Sequence, residues 1–128
     1  MVAINFQKQF VPDILSGRKT QTIRRTARCK AGDDLQIYTG QRTKACKLIG
    51  TAKCAICEAI TIAEDYISVG MFRLPFGDAV HIAQIDGFRS LDGLRHWFFE
   101  RYGALPFHGY RIMWNDFRAE RMAEEAGL

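Results

Sequence analysis

The sequence has no apolar run of the length a helical membrane span needs, so none is expected. Residues Met1 to Phe6 carry no basic region followed by an apolar core, so no signal peptide is expected either. There are no repeats, low-complexity tracts or linkers, which leaves one domain over residues 1–128. Phosphate-loop, dinucleotide and nucleophile-elbow patterns are all missing. The three histidines share no ligand spacing. Cys54-Ala55-Ile56-Cys57 has zinc-knuckle spacing, but no second close pair accompanies it, and a regular strand would turn the two thiols to opposite faces. No metal and no cofactor are expected. Four cysteines without an export signal point to free thiols and a cytoplasmic setting.

Acidic residues are scarce in the first half. Met1 to Lys53 holds eleven Lys and Arg against three Asp and Glu, whereas Cys54 to Leu128 holds seven against eleven. A basic half on a small domain suggests a phosphate-bearing partner, RNA or a nucleotide. Interleaving of the opposite charges on the folded surface is the alternative.

The positive charge is densest in Gly17-Arg18-Lys19-Thr20-Gln21-Thr22-Ile23-Arg24-Arg25. Before it, Phe10 to Ser16 predicts a short helix with Pro12 in its first turn, and Gly17 suits a left-handed stop. After it, Thr20, Thr22 and Arg24 alternate with Gln21 and Ile23 as in a strand. The unit is helix, glycine turn, strand, with Arg18 and Lys19 at the turn. Cations beside hydroxyls at such a junction can hold an anion. They can equally make a solvated edge strand that resists pairing.

The rest of the chain predicts many short strands and few helices. Val2 to Phe6 and Leu35 to Thr39 are strands, and Ala45 to Ala63 is one long bent strand or two. Tyr66 to Leu74 and Ala79 to Ile85 are taken as strands around a Pro75-Phe76-Gly77-Asp78 turn. Ser90 caps a helix whose apolar face is Leu91, Leu94, Trp97, Phe98 and Tyr102, and Gly103 ends it. His108 to Trp114 is a last strand. Asn115 to Ala126 is charged on nearly all sides and predicts a loosely packed C-terminal helix within 115–128. The fold class is α+β: a small mixed β-barrel with two or three helices.

Phe10 to Arg24, read as Phe-x-x-x-Ile-Leu-Ser-Gly-Arg-Lys-Thr-x-Thr-Ile-Arg, resembles the opening motif of ASCH domains. These are small PUA-like barrels. Gly32-Asp33 before a strand is a second match. Ala83 to Phe88, then a helix, then Gly109 to Trp114, is a third and looks like the phage and prophage-type branch. The resemblance implies binding of RNA, a nucleotide or a modified nucleoside in a cleft beside the helix-turn-strand unit. Some bacterial members remove the acetyl group from acetylcytidine with a Lys, a Thr and a Glu. The Lys and Thr fall on Lys19 and Thr22. No Glu stands before the second helix, and Asp86 is the nearest carboxylate. Other members are nucleic-acid binders or nucleases, so a binding module, an amidohydrolase and a metal-independent ribonuclease all remain open.

Lys19 and Thr22 are three apart and can converge only if Lys19 lies in the turn. There a desolvated Lys19 near Arg18 and Arg24 could serve as base for Thr22, with Asp86 holding Lys19 or positioning water. An ordinary Lys19–Asp86 ion pair is the rival reading. Arg18, Arg24, Arg25, Arg42 and Lys44 are the candidate phosphate contacts, and Phe88 a candidate base-stacking ring, with Tyr38 and Tyr110 behind it. The expected layout puts Lys19, Thr22 and Asp86 in one pocket, with Arg24 at its mouth.

Overall fold

The computed structural model describes residues 1–120. Strand β1 (Val2–Phe6) leads through a 3-10 turn (Lys8–Phe10) into helix α1 (Val11–Ser16), then β2 (Gln21–Arg24), β3 (Asp34–Thr39) and β4 (Lys47–Ile62). Next come β5 (Ile67–Val69), β6 (Phe72–Arg73), α2 (Phe76–Ile85), α3 (Leu91–Tyr102) and β7 (Phe107–Ala119).

The sheet is built on β4, whose 16 residues serve three neighbours. One edge carries β3 along Lys47–Lys53 and β5 along Ile60–Ile62, and the other pairs with β7 from Gly50 to Ile62. Beyond β3 lies β1, its parallel partner, and beyond β7 lies β2. The sheet curls into a half-barrel. Its seam lies between β1 and β2, where the Arg24 guanidinium of β2 donates to the Asn5 carbonyl of β1 at 2.6 Å.

Two apolar clusters fill the fold. Ile4, Phe6, Ile14, Leu35, Ile37, Ile49 and Trp114 pack inside the curl. Strand β3 shows why: Leu35, Ile37 and Thr39 are buried and alternate with more exposed residues, the period of a strand with one buried face. The second cluster joins Ile23, Ile60, Ile62 and Phe107 of the sheet to Ile82 of α2 and Leu94 and Phe98 of α3. Helix α3 starts where Ser90 Oγ accepts from the Gly93 amide at 3.0 Å, one orphan donor satisfied as an N-cap does.

Three expectations need correction. Ala79 to Ile85 is helix, not strand, because Pro75 is the N-cap and Ala79, Ile82 and Ala83 share one buried face at three-four spacing. Tyr66 to Leu74 is two short strands hinged at Gly70. Asn115 to Ala119 continues β7 against Gly50, Thr51 and Lys53 of β4, so these residues are not helical, and the remaining part of that expectation, residues 121–128, lies outside the described residues. Asn115, Asp116 and Arg118 are exposed there, while Phe117 packs against the inner cluster. No described helix is long and apolar enough to cross a membrane.

Candidate functional site

Gly17 closes α1 with φ of 82°, a conformation that costs glycine little. The chain then turns back. The Lys19 amide donates to Asp13 O at 2.9 Å, and the Thr20 amide to Ile85 O at 2.9 Å. Lys19 is thereby fixed in the turn before the alternation of β2 begins, and its side chain runs inward between α1 and the end of α2. Only 2% of it is exposed.

The Lys19 ammonium donates to the Asp86 backbone carbonyl and lies 3.5 Å from Asp86 Oδ2. It also stands over the Phe10 and Phe6 rings, 4.9 and 5.7 Å from their centroids. Asp86 Oδ1 accepts from Gln21 Nε2 at 3.0 Å. Gly87, at φ of 99°, leaves room for this arrangement: a Cβ there would stand 3.3 Å from Lys19 Cδ. Burial pushes the Lys19 amine well down from its ordinary range, against the opposing pull of Asp86. Burial likewise pushes Asp86 up, against Lys19 and Gln21. Burial thus opposes both charges, and the contact between the two groups is what offsets it.

Thr22 Oγ1 accepts from Arg24 Nε at 3.0 Å, and the Arg24 guanidinium lies 4.9 Å from the Phe6 centroid. Burial, followed by repulsion from Arg28, lowers Arg24 to about 10, which leaves it charged at neutral pH.

These side chains border a cavity of about 150 Å³ at the barrel seam. Lys19, Thr22, Arg24 and Asp86 all line it. Facing them is an aromatic wall of Phe10, Phe88 and Trp97, with centroids 5.9–6.0 Å apart and Phe10 set edge-on to both partners. Arg101 stands over Trp97 and lines the cavity too.

The other candidate cations do not join them. Arg18 is exposed, 3.7 Å from Asp13, and Arg25 sits over the Tyr102 ring. Arg42 and Lys44 are exposed on the β3–β4 loop. None of the four lines the cavity, and no continuous basic cleft is evident. The physical reason is that Lys19 turns its charge inward to Asp86, while Arg24 uses its donors on Thr22 and Asn5. Tyr38 and Tyr110 also lie outside the lining. The sequence reading missed Gln21, Phe10, Trp97, Tyr102 and Arg101. Phe10 could have been found from its place as the first residue of the motif, and Trp97 from its place on the α3 apolar face. Gln21 carries no such signal.

The thiols hold one surprise. Register shifts between Cys54 and Ile56, so a bulge breaks the alternation of β4, and Cys54 and Cys57 both pack against the inner cluster. Cys29 Sγ is 3.4 Å from Cys54 Sγ, and all four cysteines are free thiols. No metal-holding group of three ligands occurs among the described residues. Burial and the hydrogen bond with Cys54 push Cys29 up to about 12, and burial raises Cys54. At pH 8, iodoacetamide should therefore label the exposed Cys46 first and leave Cys29 and Cys54 almost unreacted. Peptide mapping of the labelled protein checks the order. Fast labelling of Cys29 would show that the pair is open to solvent.

No family model and no curated protein matches the sequence. Solved structures do. The ASCH protein of Zymomonas mobilis superposes with a TM-score of 0.59 at 15% identity, covering 92% of this chain and 68% of that one. A tyrosine-to-phenylalanine variant of it gives 0.59 at 15%, over 94% and 72%. A serine-to-alanine variant gives 0.55 at 18%, over 94% and 70%. At these identities the likeness is one of fold.

Proposed function

From this ASCH-type fold, we propose that the seam cavity binds a single unstacked base, presented by RNA or by a modified nucleoside. The observation that carries the reading is the pairing of an aromatic wall, Phe10, Phe88 and Trp97, with the polar groups of Thr22, Asp86 and Lys19 across one small cavity. Ligand pockets for drug-sized molecules run to about 300–1,000 Å³. A cavity of about 150 Å³ suits one planar ring. Proteins read single-stranded RNA by stacking a base on aromatic rings and hydrogen-bonding its edge. The general association of ASCH domains with RNA supports the same reading, as does the basic first half of the chain.

The test is a titration of Trp97 fluorescence with the four ribonucleosides, N4-acetylcytidine and a short oligoribonucleotide. Phe88→Ala should weaken binding by about 1–3 kcal/mol, the worth of one base–aromatic stack. Thr22→Val, which keeps the shape and removes the hydroxyl, should cost about 0.5–1.5 kcal/mol if Thr22 bonds the base. Unchanged affinity in Phe88→Ala would rule out base stacking in this cavity.

A second reading, deacylation of an N4-acetylcytidine-type nucleoside, is favoured by one observation. A lysine whose proton affinity is lowered by burial shares the cavity with a threonine hydroxyl. Neutral Lys19 would take the Thr22 proton as Oγ1 attacks the acetyl carbon. That proton would leave with the cytidine amine, and water would release acetate. Lys19→Ala and Thr22→Val would then each abolish acetate release, since a nucleophile and its base act as a unit. Asp86→Glu would raise it by restoring the longer carboxylate. Binding with no acetate release from either the wild type or Asp86→Glu leaves the first reading alone. Recovery of the oligoribonucleotide intact excludes the ribonuclease.

A further inference from the structure

A second cavity, of about 430 Å³, opens on the other side of β1. It lies between the start of the 3-10 turn and the β3–β4 loop. Asn5, Phe6 and Gln7 line both cavities and form the ridge between them. That ridge is pinned from each side. Its Asn5 carbonyl accepts from Arg24 on the seam side, and its Asn5 Oδ1 accepts from the Gln41 amide at 2.9 Å on the loop side.

The two cavities differ in chemistry. The first is lined by six aromatic residues, Phe6 among them, and by a buried carboxylate. Among the described residues, the second has one aromatic, the same Phe6, and no carboxylate. Its lining includes the exposed ammonium groups of Lys8 and Lys47, and neither pairs with an acid among the described residues. The amides of Gln7 and Gln41 and the hydroxyl of Thr43 add neutral hydrogen-bonding groups. Most of the surface this lining presents is apolar, so the two ammonium groups are what suit a phosphodiester, and the apolar remainder suits the body of the next nucleoside.

We infer that the two cavities form one track for a single strand: a base enters the seam cavity, and the adjoining phosphate and next nucleotide cross the ridge to Lys8 and Lys47. This rests on the base-binding reading and narrows it. The ligand is an oligonucleotide, at least two nucleotides long, and a free nucleoside occupies only half of the site.

The experiment compares the four ribonucleosides with the four matching homodinucleoside monophosphates, using wild-type protein and a Lys8→Ala, Lys47→Ala double variant. Both lysines are exposed and outside the core, so the variant should fold. In the wild type, the best dinucleotide should bind about tenfold tighter than its nucleoside, one charge-assisted contact's worth. In the variant that advantage should vanish while nucleoside affinity stays unchanged. The salt dependence of dinucleotide binding should also flatten, by about 0.7 in the log–log slope for the one phosphate. Equal affinity of nucleoside and dinucleotide in the wild type, or an advantage that survives in the variant, overturns the track and leaves the base cavity standing. Binding of neither class overturns both.

Discussion

Asp86→Ala is expected to lower the unfolding free energy by about 3–5 kcal/mol, the cost of leaving a buried charge without its partner. Lys19 and Asp86 are 2% and 4% exposed, so water cannot replace the lost carboxylate without opening the site. The replacement of both groups should be much milder. A Lys19→Met, Asp86→Leu double variant should lose less than the sum of its single variants, because no charge is stranded. The loss should also depend on pH. In Asp86→Ala, Lys19 loses the neighbour that raised its proton affinity, while burial still lowers it. A lysine whose folded proton affinity lies below its unfolded one takes up protons on unfolding, so stability rises with pH until the unfolded lysine also deprotonates. The deficit of Asp86→Ala against wild type should therefore shrink between pH 7 and pH 10. Urea denaturation at the two pH values measures it. A loss below about 1 kcal/mol, independent of pH, would mean that the pair is hydrated in solution.

Phe98→Ala is expected to cost about 3–5 kcal/mol, the usual range for emptying a buried aromatic site. Phe98 is 1% exposed and sits among Trp97, Tyr102 and Phe107, with centroids 4.8–5.9 Å away. It couples α3 to the sheet and also lines the seam cavity. Its removal should therefore weaken base binding along with stability. Phe98→Leu keeps most of the volume and should lose roughly half as much or less. The urea midpoint should fall with an unchanged slope, which separates a stability change from a change in compactness. A small loss in Phe98→Ala would show that α3 can collapse into the gap.

The helix-turn-strand unit was legible because each of its parts carries its own local signal. Pro12 marks a helix start, Gly17 marks the stop, and Thr20, Thr22 and Arg24 mark the strand. That Lys19 lies in the turn followed from the glycine stop and the strand alternation after it. Its nearness to Asp86 was expected from the family resemblance and not from spacing, because Asp86 is 67 residues away and the packing of α2 brings it near. Helix α2 itself was misread. Ala79 to Ile85 is a seven-residue stretch, apolar except for His81 and Gln84 and short enough to fit either period, and the preceding Pro75 serves a helix N-terminus as well as a turn. The end of β7 was misread for a different reason. Charge on nearly all sides hides any strand alternation, and pairing with β4 holds Asn115 to Ala119 extended. Arg18, Arg25, Arg42 and Lys44 stay away from the seam cavity, since net charge along a chain does not say where each side chain goes once it folds.

The pairing of β4 with β7 also sets the order in which the molecule can assemble. Ile62 meets Phe107 and Gly50 meets Ala119, so this longest ladder has to close a loop that contains both α2 and α3. The hairpins β3–β4, β4–β5 and β5–β6 are local and can form early. Closing large loops before their contacts stabilise them makes such topologies slow, on the order of milliseconds to seconds. Among the described residues, β7 is the one strand that pairs with β2. The cavity that Lys19, Thr22 and Arg24 border is accordingly among the last parts of the chain to exist, and a chain that has not yet docked β7 has no site at all.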